Sequence, residues 1–318
     1  MWYTCTMSIG EFKSDKAARR YRATYAYVLD QVWPGPRTAV DVSTSFGTTR
    51  VLRVGPASAE PIVLLPGAGG NSLMWHGYVE ALAAHRTVIA VDTVGEAGAS
   101  TQTAPVADGR AGAAWLEEVL DGLEASAAHV VGCSYGGWLA LNHQIHHPGR
   151  TATLTLLDPA GFADPGRRFS TWLIAGGLAG LAPRALRPRL ARLVGNTAIL
   201  DAELMRLGRA GVGFRRALPA ARVLTDEELG RLTAPALFLL GERSTLHEAR
   251  EVAARVGALV DTAEVEIVPG AGHALPTDQP ALVAGRILEM AGRKGAGGTH
   301  AAGAGPGWCV PRSGPGRW

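Results

Sequence analysis

The chain has 318 residues, 47% of them hydrophobic, with 41 glycines, 19 prolines and three cysteines. That length and apolar content exclude a disordered body and suit one large α/β domain or two small ones. A net charge of +3, from 31 basic and 28 acidic residues, is too small to point to a nucleic-acid partner.

At the start, Met1 to Phe12 lacks a basic stretch followed by an apolar one, so no secretory signal is read there; Met7 is a candidate later start. Residues 14 to 33 carry Ala17, Tyr21, Tyr25, Val28 and Val32 at helical spacing, and the segment 1–36 reads as an extension with an amphipathic helix that packs on the core. Residues 37–43 and 48–54 flank Phe46-Gly47 as a β-hairpin. A strand at Ile62 to Leu65, a helix near Leu73 to His85, a strand at Thr87 to Val91 and a helix at Ala111 to Ser126 follow. The apolar run His129-Val130-Val131 then leads into Gly132-Cys133-Ser134-Tyr135-Gly136, a helix from Trp138 to His147, and a strand at Thr151 to Leu157 that ends on Asp158.

Residues 160–232 interrupt this alternation with helical, arginine-rich sequence. Strands resume at Ala236 to Leu240 and Val265 to Val268, the latter running into Gly270-Ala271-Gly272-His273, and a helix at Ala281 to Ala291 closes the fold. Gly292 to Trp318 is rich in Gly, Ala, Pro and Arg without periodicity and reads as a disordered tail. Strands nearly continuous in apolar residues, alternating with helices, predict a mainly parallel sheet covered on both faces. In such a sheet the reactive loops gather at the carboxyl ends of the strands.

Gly-x-Ser-x-Gly between a strand and a helix places a serine hydroxyl on a sharp turn, where it can act as a nucleophile. The hydroxyl needs a base, and an imidazole with an ordinary pKa near 6.5 suits that work. His273 is the candidate base. The amide of Tyr135, at the helix start, points toward a developing oxyanion, and Pro66-Gly67-Ala68-Gly69-Gly70 is a candidate second donor loop. That loop is not a Walker phosphate loop, since no Lys-Ser or Lys-Thr follows it.

The elbow, then Asp158, then the late Gly-x-Gly-His, together resemble the α/β-hydrolase fold family over about residues 38 to 291. Val91 to Ser100 resembles that family's loop after its fourth strand, and Ala271-Gly272-His273 with Gln279-Pro280 its histidine loop. The resemblance implies an α/β-hydrolase sheet divided into 37–159 and 233–291, with 160–232 inserted as a helical cap. It implies Ser134, His273 and Asp158 as the catalytic set and the amides of Ala68 and Tyr135 as the oxyanion hole. Family members often carry His-Gly where this chain has Pro66-Gly67, a change that leaves the backbone donor in place. Many also carry an Asp in a Gly-x-x-Asp phrase after the strand equivalent to Leu237 to Leu240, where this chain reads Gly241-Glu242-Arg243-Ser244. The acid therefore has three candidates: Asp158, which also reads as a turn or cap residue, and Glu242 and Glu248 on the later loop.

Other groups point away from chemistry. His143 and His147 stand four apart on a helix, but Gln144 replaces the glutamate that a zinc protease needs; they read as solvated helix residues, with no metal. Cys133 should face away from Ser134 as a small buried residue, and Asp92 reads as a cap or hydrogen-bonding group. Cys5, Cys133 and Cys309 are odd in number and scattered, which argues against a disulfide framework and for a reducing, cytoplasmic setting. Apolar runs such as Trp172 to Ala182 fall short of the roughly 18 residues that cross a bilayer, so no membrane partner is predicted.

In residues 160–232, twelve arginines face six acidic residues. The plain reading is solvated helix faces; the sharper one is steering of an anionic substrate or an acidic carrier-protein partner. Phe169, Trp172, Leu173, Ile174, Leu178, Leu204, Met205, Leu207 and Phe214 supply apolar surface for the underside of a cap. The function expected is a cofactor-free serine hydrolase acting on an ester, lactone or thioester of a medium-sized, largely apolar small molecule. Carbon–carbon bond hydrolysis, acyl transfer, cyclisation and a non-catalytic receptor are the alternatives.

Overall fold

The computed structural model describes residues 8–293, which leaves Cys5, Met7, Cys309 and the proposed tail beyond Arg293 outside the described residues. Eight strands carry the main sheet: β1 (Thr38–Thr44), β2 (Gly47–Val54), β3 (Ile62–Leu65), β4 (Val88–Val91), β5 (Ala128–Cys133), β6 (Thr151–Leu157), β7 (Ala236–Gly241) and β8 (Ala263–Val268). Their spatial order is β8-β7-β6-β5-β3-β4-β2-β1, with the short strand Thr101–Gln102 paired to β2. Neighbours from β8 through β4 run parallel; β2 is antiparallel to both β4 and β1. The expected mainly parallel sheet is present.

Every residue of β3 through β7 is buried, and their side chains alternate between two cores as the strand period requires. Val63, Leu65, Val130, Leu154 and Phe238 join one core with Trp115, Leu116 and Trp138. Ile62, Leu64, Val131, Leu157 and Leu239 join the other with Tyr25, Tyr78 and Ile287. These partners come from helices Gly109–Gly122 and Tyr135–His146 on one face, and Asp15–Val32, His76–Ala83 and Pro280–Ala291 on the other. The helix Tyr135–His146 is enclosed along almost its whole length, so its first residue is fixed as rigidly as the sheet.

Between β6 and β7 the chain forms helices Arg167–Leu181, Arg187–Val194 and Ala202–Gly211. Asp201 starts the last of these by accepting the amides of Glu203 and Leu204 at 3.0 and 2.9 Å, which satisfies two of the orphan donors at a helix start. The N-terminal segment is tied to this insertion. Glu11–Phe12 pairs antiparallel with Phe214–Arg215, and helix Asp15–Val32 packs on helix Ala202–Gly211 as well as on the core. Tyr21 donates to Ala97 O at 2.7 Å from that helix. Among the described residues, no helix is long and apolar enough to cross a membrane.

Candidate active site

β5 ends at Cys133 and the next helix begins at Tyr135, which leaves Ser134 at the turn with φ 51° and ψ −114°. Such a left-handed φ is strained for a residue with a side chain and persists only where the surroundings over-determine it. The amide of Ser134 donates to Leu157 O at 3.0 Å, and its carbonyl accepts from Ala160 and Trp138 at 3.0 and 3.1 Å. Glycine is required on both sides. A Cβ at Gly132 would stand 2.5 Å from Gly136 O, and one at Gly136 would stand 2.4 Å from Leu65 O.

Two further strand ends deliver the partners. Asp158 follows β6 with φ 45°, and its amide donates to Leu239 O at 2.8 Å. His273 follows β8 after Gly270, whose φ is 70°. His273 Nε2 lies 3.0 Å from Ser134 Oγ, and Nδ1 lies 2.6 Å from Asp158 Oδ2. The three groups, apart in sequence, form one unbroken hydrogen-bonded chain in a nearly closed site. The rings of Phe169 and Trp172 stand edge-on to His273 at 5.1 and 5.4 Å, which brings the insertion over the imidazole.

Asp158 is fully buried, a placement that by itself raises a carboxyl pKa. The hydrogen bond and charge of His273, the charge of His247 and the hydroxyl of Ser244 outweigh burial and hold Asp158 below the ordinary carboxylate range. Its Oδ1 accepts the Gly241 amide at 3.0 Å, and Oδ2 also accepts Ser244 Oγ at 2.6 Å. Ser244 stands where the Gly-x-x-Asp phrase would put its carboxylate; here its hydroxyl donates to Asp158 at the end of the neighbouring strand. The competing acids lie elsewhere. Glu248 is 62% exposed and pairs with Arg168, and Glu242 accepts the Gly270 amide at 2.8 Å.

The loop Pro66 to Gly70 lies against Ser134. A Cβ on Gly67 would fall 3.4 Å from Ser134 Cβ, which brings the loop against Ser134 directly before Ala68, and Tyr135 opens its helix directly after Ser134. The loop is folded on itself by Gly70 N to Gly67 O at 2.9 Å. Behind it a cavity of about 330 Å³ is lined by Tyr21, Gly70, Met74, Leu204, Leu207 and Phe214, with the Glu96–Arg216 ion pair at its edge. The Arg216 guanidinium also lies over the Tyr135 ring, 4.4 Å from its centroid.

Cys133 is buried and its thiol is pushed up to about 12 by desolvation and the charge of Asp158, in keeping with a small buried residue rather than a reactive one. Asp92 bonds as expected: Oδ1 accepts the Ser72 amide at 2.8 Å and Oδ2 the Ala99 amide at 2.6 Å, fastening the loops after β3 and β4 together. The solvated reading of His143 is corrected. His143 is fully buried, with Nε2 3.0 Å from Glu117 Oε2, because the helix around it is enclosed on all sides; Gln144 is buried too, and only His146 and His147 are partly exposed.

Sequence reasoning missed Ser244, the adjacent His247, whose Nε2 lies 3.6 Å from Asp158 Oδ1, and the Glu96–Arg216 pair. No local pattern marks them. The one available signal was Ser244 itself, a hydroxyl standing where an acid was expected.

Relatives share this arrangement of chain. A Bacillus subtilis (strain 168) protein described as an uncharacterized carboxylesterase, nap, is 31% identical over 279 residues, covering 85% of this chain and 92% of that protein. The carboxylesterase YbfK of the same organism is 29% identical over 288 residues, covering 88% and 96%. The crystal structure of naproxen esterase from Bacillus subtilis superposes with a TM-score of 0.76 at 30% identity, covering 87% of this chain and 98% of that one. The model of the alpha/beta hydrolase family matches residues 62–286, from the start of β3 into the last helix. With that match and the sheet order above, the chain belongs to the alpha/beta hydrolase family, as a carboxylesterase-like member.

Proposed function

We propose that the protein is a serine carboxylesterase that works through an acyl-enzyme, with Ser134 as nucleophile, His273 as general base and Asp158 as the acid that orients it. The observation that carries this reading is the unbroken chain from Ser134 Oγ through both ring nitrogens of His273 to Asp158. His273 Nε2 takes the hydroxyl proton as Oγ attacks the ester carbonyl, and Asp158 stabilises the resulting imidazolium. The amides of Ala68 and Tyr135 hold the oxyanion; loss of one such donor typically costs about 3 kcal/mol of transition-state stabilisation. The imidazolium returns its proton to the departing alcohol, the C–O bond breaks, and the acyl group stays on Ser134. A water molecule, deprotonated by the same ring, then releases the acid. The chemistry calls for no metal or organic cofactor.

The insertion between β6 and β7 serves as the cap, and Phe169 and Trp172 shield the imidazole from water, which strengthens the electrostatics of acyl transfer. These aromatic rings and the nearby apolar cavity favour esters with a medium-sized apolar or ring-containing acyl group. The likeness to naproxen esterase favours an aryl-bearing one.

A fluorophosphonate probe tests the reading. Wild-type protein should label at one site, Ser134→Ala should not, and a panel of nitrophenyl esters of rising chain length should map the acyl preference. A wild type that neither labels nor turns over any ester would leave a ligand-binding receptor as the better description.

A further inference from the structure

The outer face of the insertion carries a concentration of exposed apolar side chains. Seven of the ten large apolar side chains most exposed among the described residues fall between positions 173 and 200. Ile174, Leu178 and Leu181 are 65, 65 and 64% exposed and recur at i, i+4 and i+7 on helix Arg167–Leu181, opposite the face that carries Phe169 and Trp172, which corrects the expectation that Leu173, Ile174 and Leu178 line the underside of the cap. Leu173 flanks them, and Leu193, 82% exposed, stands on helix Arg187–Val194, which packs against this one. The same segment carries the exposed Arg167, Arg184, Arg189 and Arg192, besides Arg168, which is paired with Glu248; Asp164 is the single acid in residues 160–200.

A soluble surface scatters its exposed apolar groups; a concentrated patch marks something that covers it. Here the covering partner must accept aliphatic side chains and positive charge together. A second copy of the chain would set arginines against arginines. A protein partner is usually anchored by exposed aromatic residues, whereas this patch is Leu and Ile throughout. An anionic lipid–water interface meets both demands: leucines enter the acyl boundary while guanidinium groups snorkel to the headgroups. Among the described residues no helix is long and apolar enough to span the bilayer, and an amphipathic face of this kind suits the interface plane.

The geometry points to this face of the cap as a docking surface for an anionic lipid interface. Resting on the esterase reading, it places the cap beside esters partitioned into that interface, with Phe169 and Trp172 on the inner side of the same helix against His273. This departs from the expectation of no membrane partner, and it gives the arginine excess an anionic ligand other than the acidic carrier first considered.

The test is flotation of the full chain with phosphatidylcholine vesicles, with and without phosphatidylglycerol, across a salt series. Wild type should float with phosphatidylglycerol vesicles, hardly with phosphatidylcholine alone, and less as salt rises. Arg189→Glu/Arg192→Glu should weaken binding by about 30-fold or more, taking about 1 kcal/mol per basic residue near the surface. Ile174→Gln/Leu178→Gln, which leaves charge unchanged, should weaken it by about tenfold or more. Both variants should keep full turnover of water-soluble nitrophenyl acetate, which also shows that they fold. The proposal is overturned if wild type does not float, or if either variant floats as well as wild type. It is equally overturned if sedimentation shows a dimer dissolved by Ile174→Gln/Leu178→Gln, or if the chain binds polyglutamate but no vesicle. Absent turnover and absent serine labelling in a wild type that still floats would sink the esterase reading alone.

Discussion

Replacing Asp158 by Asn tests the assignment of the acid most directly, because three donors converge on its carboxylate. His273 Nδ1 and Ser244 Oγ reach Oδ2 at 2.6 Å each, and Gly241 N reaches Oδ1 at 3.0 Å. An amide offers only one acceptor oxygen. If that oxygen serves Gly241, the NH2 faces the imidazole, which must switch tautomer and point Nε2–H at Ser134; the base then cannot accept the hydroxyl proton. If the oxygen serves His273 instead, two buried N–H groups collide at Gly241, at a cost of about 1 to 3 kcal/mol in stability. Asp158→Asn should therefore lose about 10⁴-fold in kcat, or about 5.5 kcal/mol, with KM changed only a few-fold. Steady-state hydrolysis of nitrophenyl butyrate, with urea denaturation as the folding control, measures both. Glu248→Gln, which removes one exposed partner of a surface pair, should stay within about twofold of wild type. Asp158→Asn retaining more than about a tenth of wild-type kcat, or Glu248→Gln falling alongside it, would refute the assignment.

The elbow should not tolerate Gly136→Ala: its Cβ would press on Leu65 O at 2.4 Å and Pro66 O at 2.5 Å, rigid backbone in both cases. The expected loss is about 3 kcal/mol or more in urea denaturation, and unchanged stability would show that the turn is looser than described. Arg216→Ala strands Glu96, which is 3% exposed, without its cation, while Arg216 itself is 32% exposed and screened. Denaturation should show a loss of about 2 kcal/mol, below the figure for a fully buried pair, and a neutral result would mean that solvent reaches Glu96. Stability should also fall in mild acid. Burial, aided by Arg86 for His129, pushes His129 and His143 down to about 4, whereas unfolded histidine titrates near 6.5. Between those values the unfolded chain binds protons that the folded chain refuses, so stability is full above about 6.5 and drops toward 4 by up to about 1.4 kcal/mol per pH unit for each ring. Urea midpoints at about pH 7 and about pH 5 should show this, and His143→Gln should flatten it; a pH-independent midpoint would contradict the burial of both rings.

What the sequence could express was local. The elbow is legible because its steric demand is met within five residues, with glycines on either side of Ser134 whose Cβ positions are already occupied by backbone. Continuous burial in β3 through β7 is legible because a strand covered on both faces has no polar period to show. His143 was misread for the converse reason. A helix enclosed on all sides gives its polar residues no distinguishing face, so a buried histidine bonded to Glu117 looks like a solvated one. Long-range partners left no trace either: Glu96 and Arg216 come from different loops, and the pairing of Glu11–Phe12 with Phe214–Arg215 joins segments too short to read as strands.

The carboxylate beside the imidazole shows why chain order was suggestive and still left three candidates. β6 and β7 are parallel neighbours with Leu157 opposite Leu239, so the residues that follow either strand arrive at the same end of the sheet. Either loop can deliver a carboxylate to an imidazole that comes in after β8. Which one does is decided by the turn: Asp158 takes up φ 45° directly at the strand end, and that conformation points its carboxyl group at Gly241 N and the ring. The later loop then has no need of a charge at position 244. A second carboxylate there would sit within hydrogen-bonding distance of the first and force one of them to hold a proton, whereas the Ser244 hydroxyl donates to Asp158 and helps keep it ionised. The hydroxyl at position 244 and the carboxylate at position 158 are therefore one feature of the site, a carboxylate at the end of β6 held by a donor from the loop after β7.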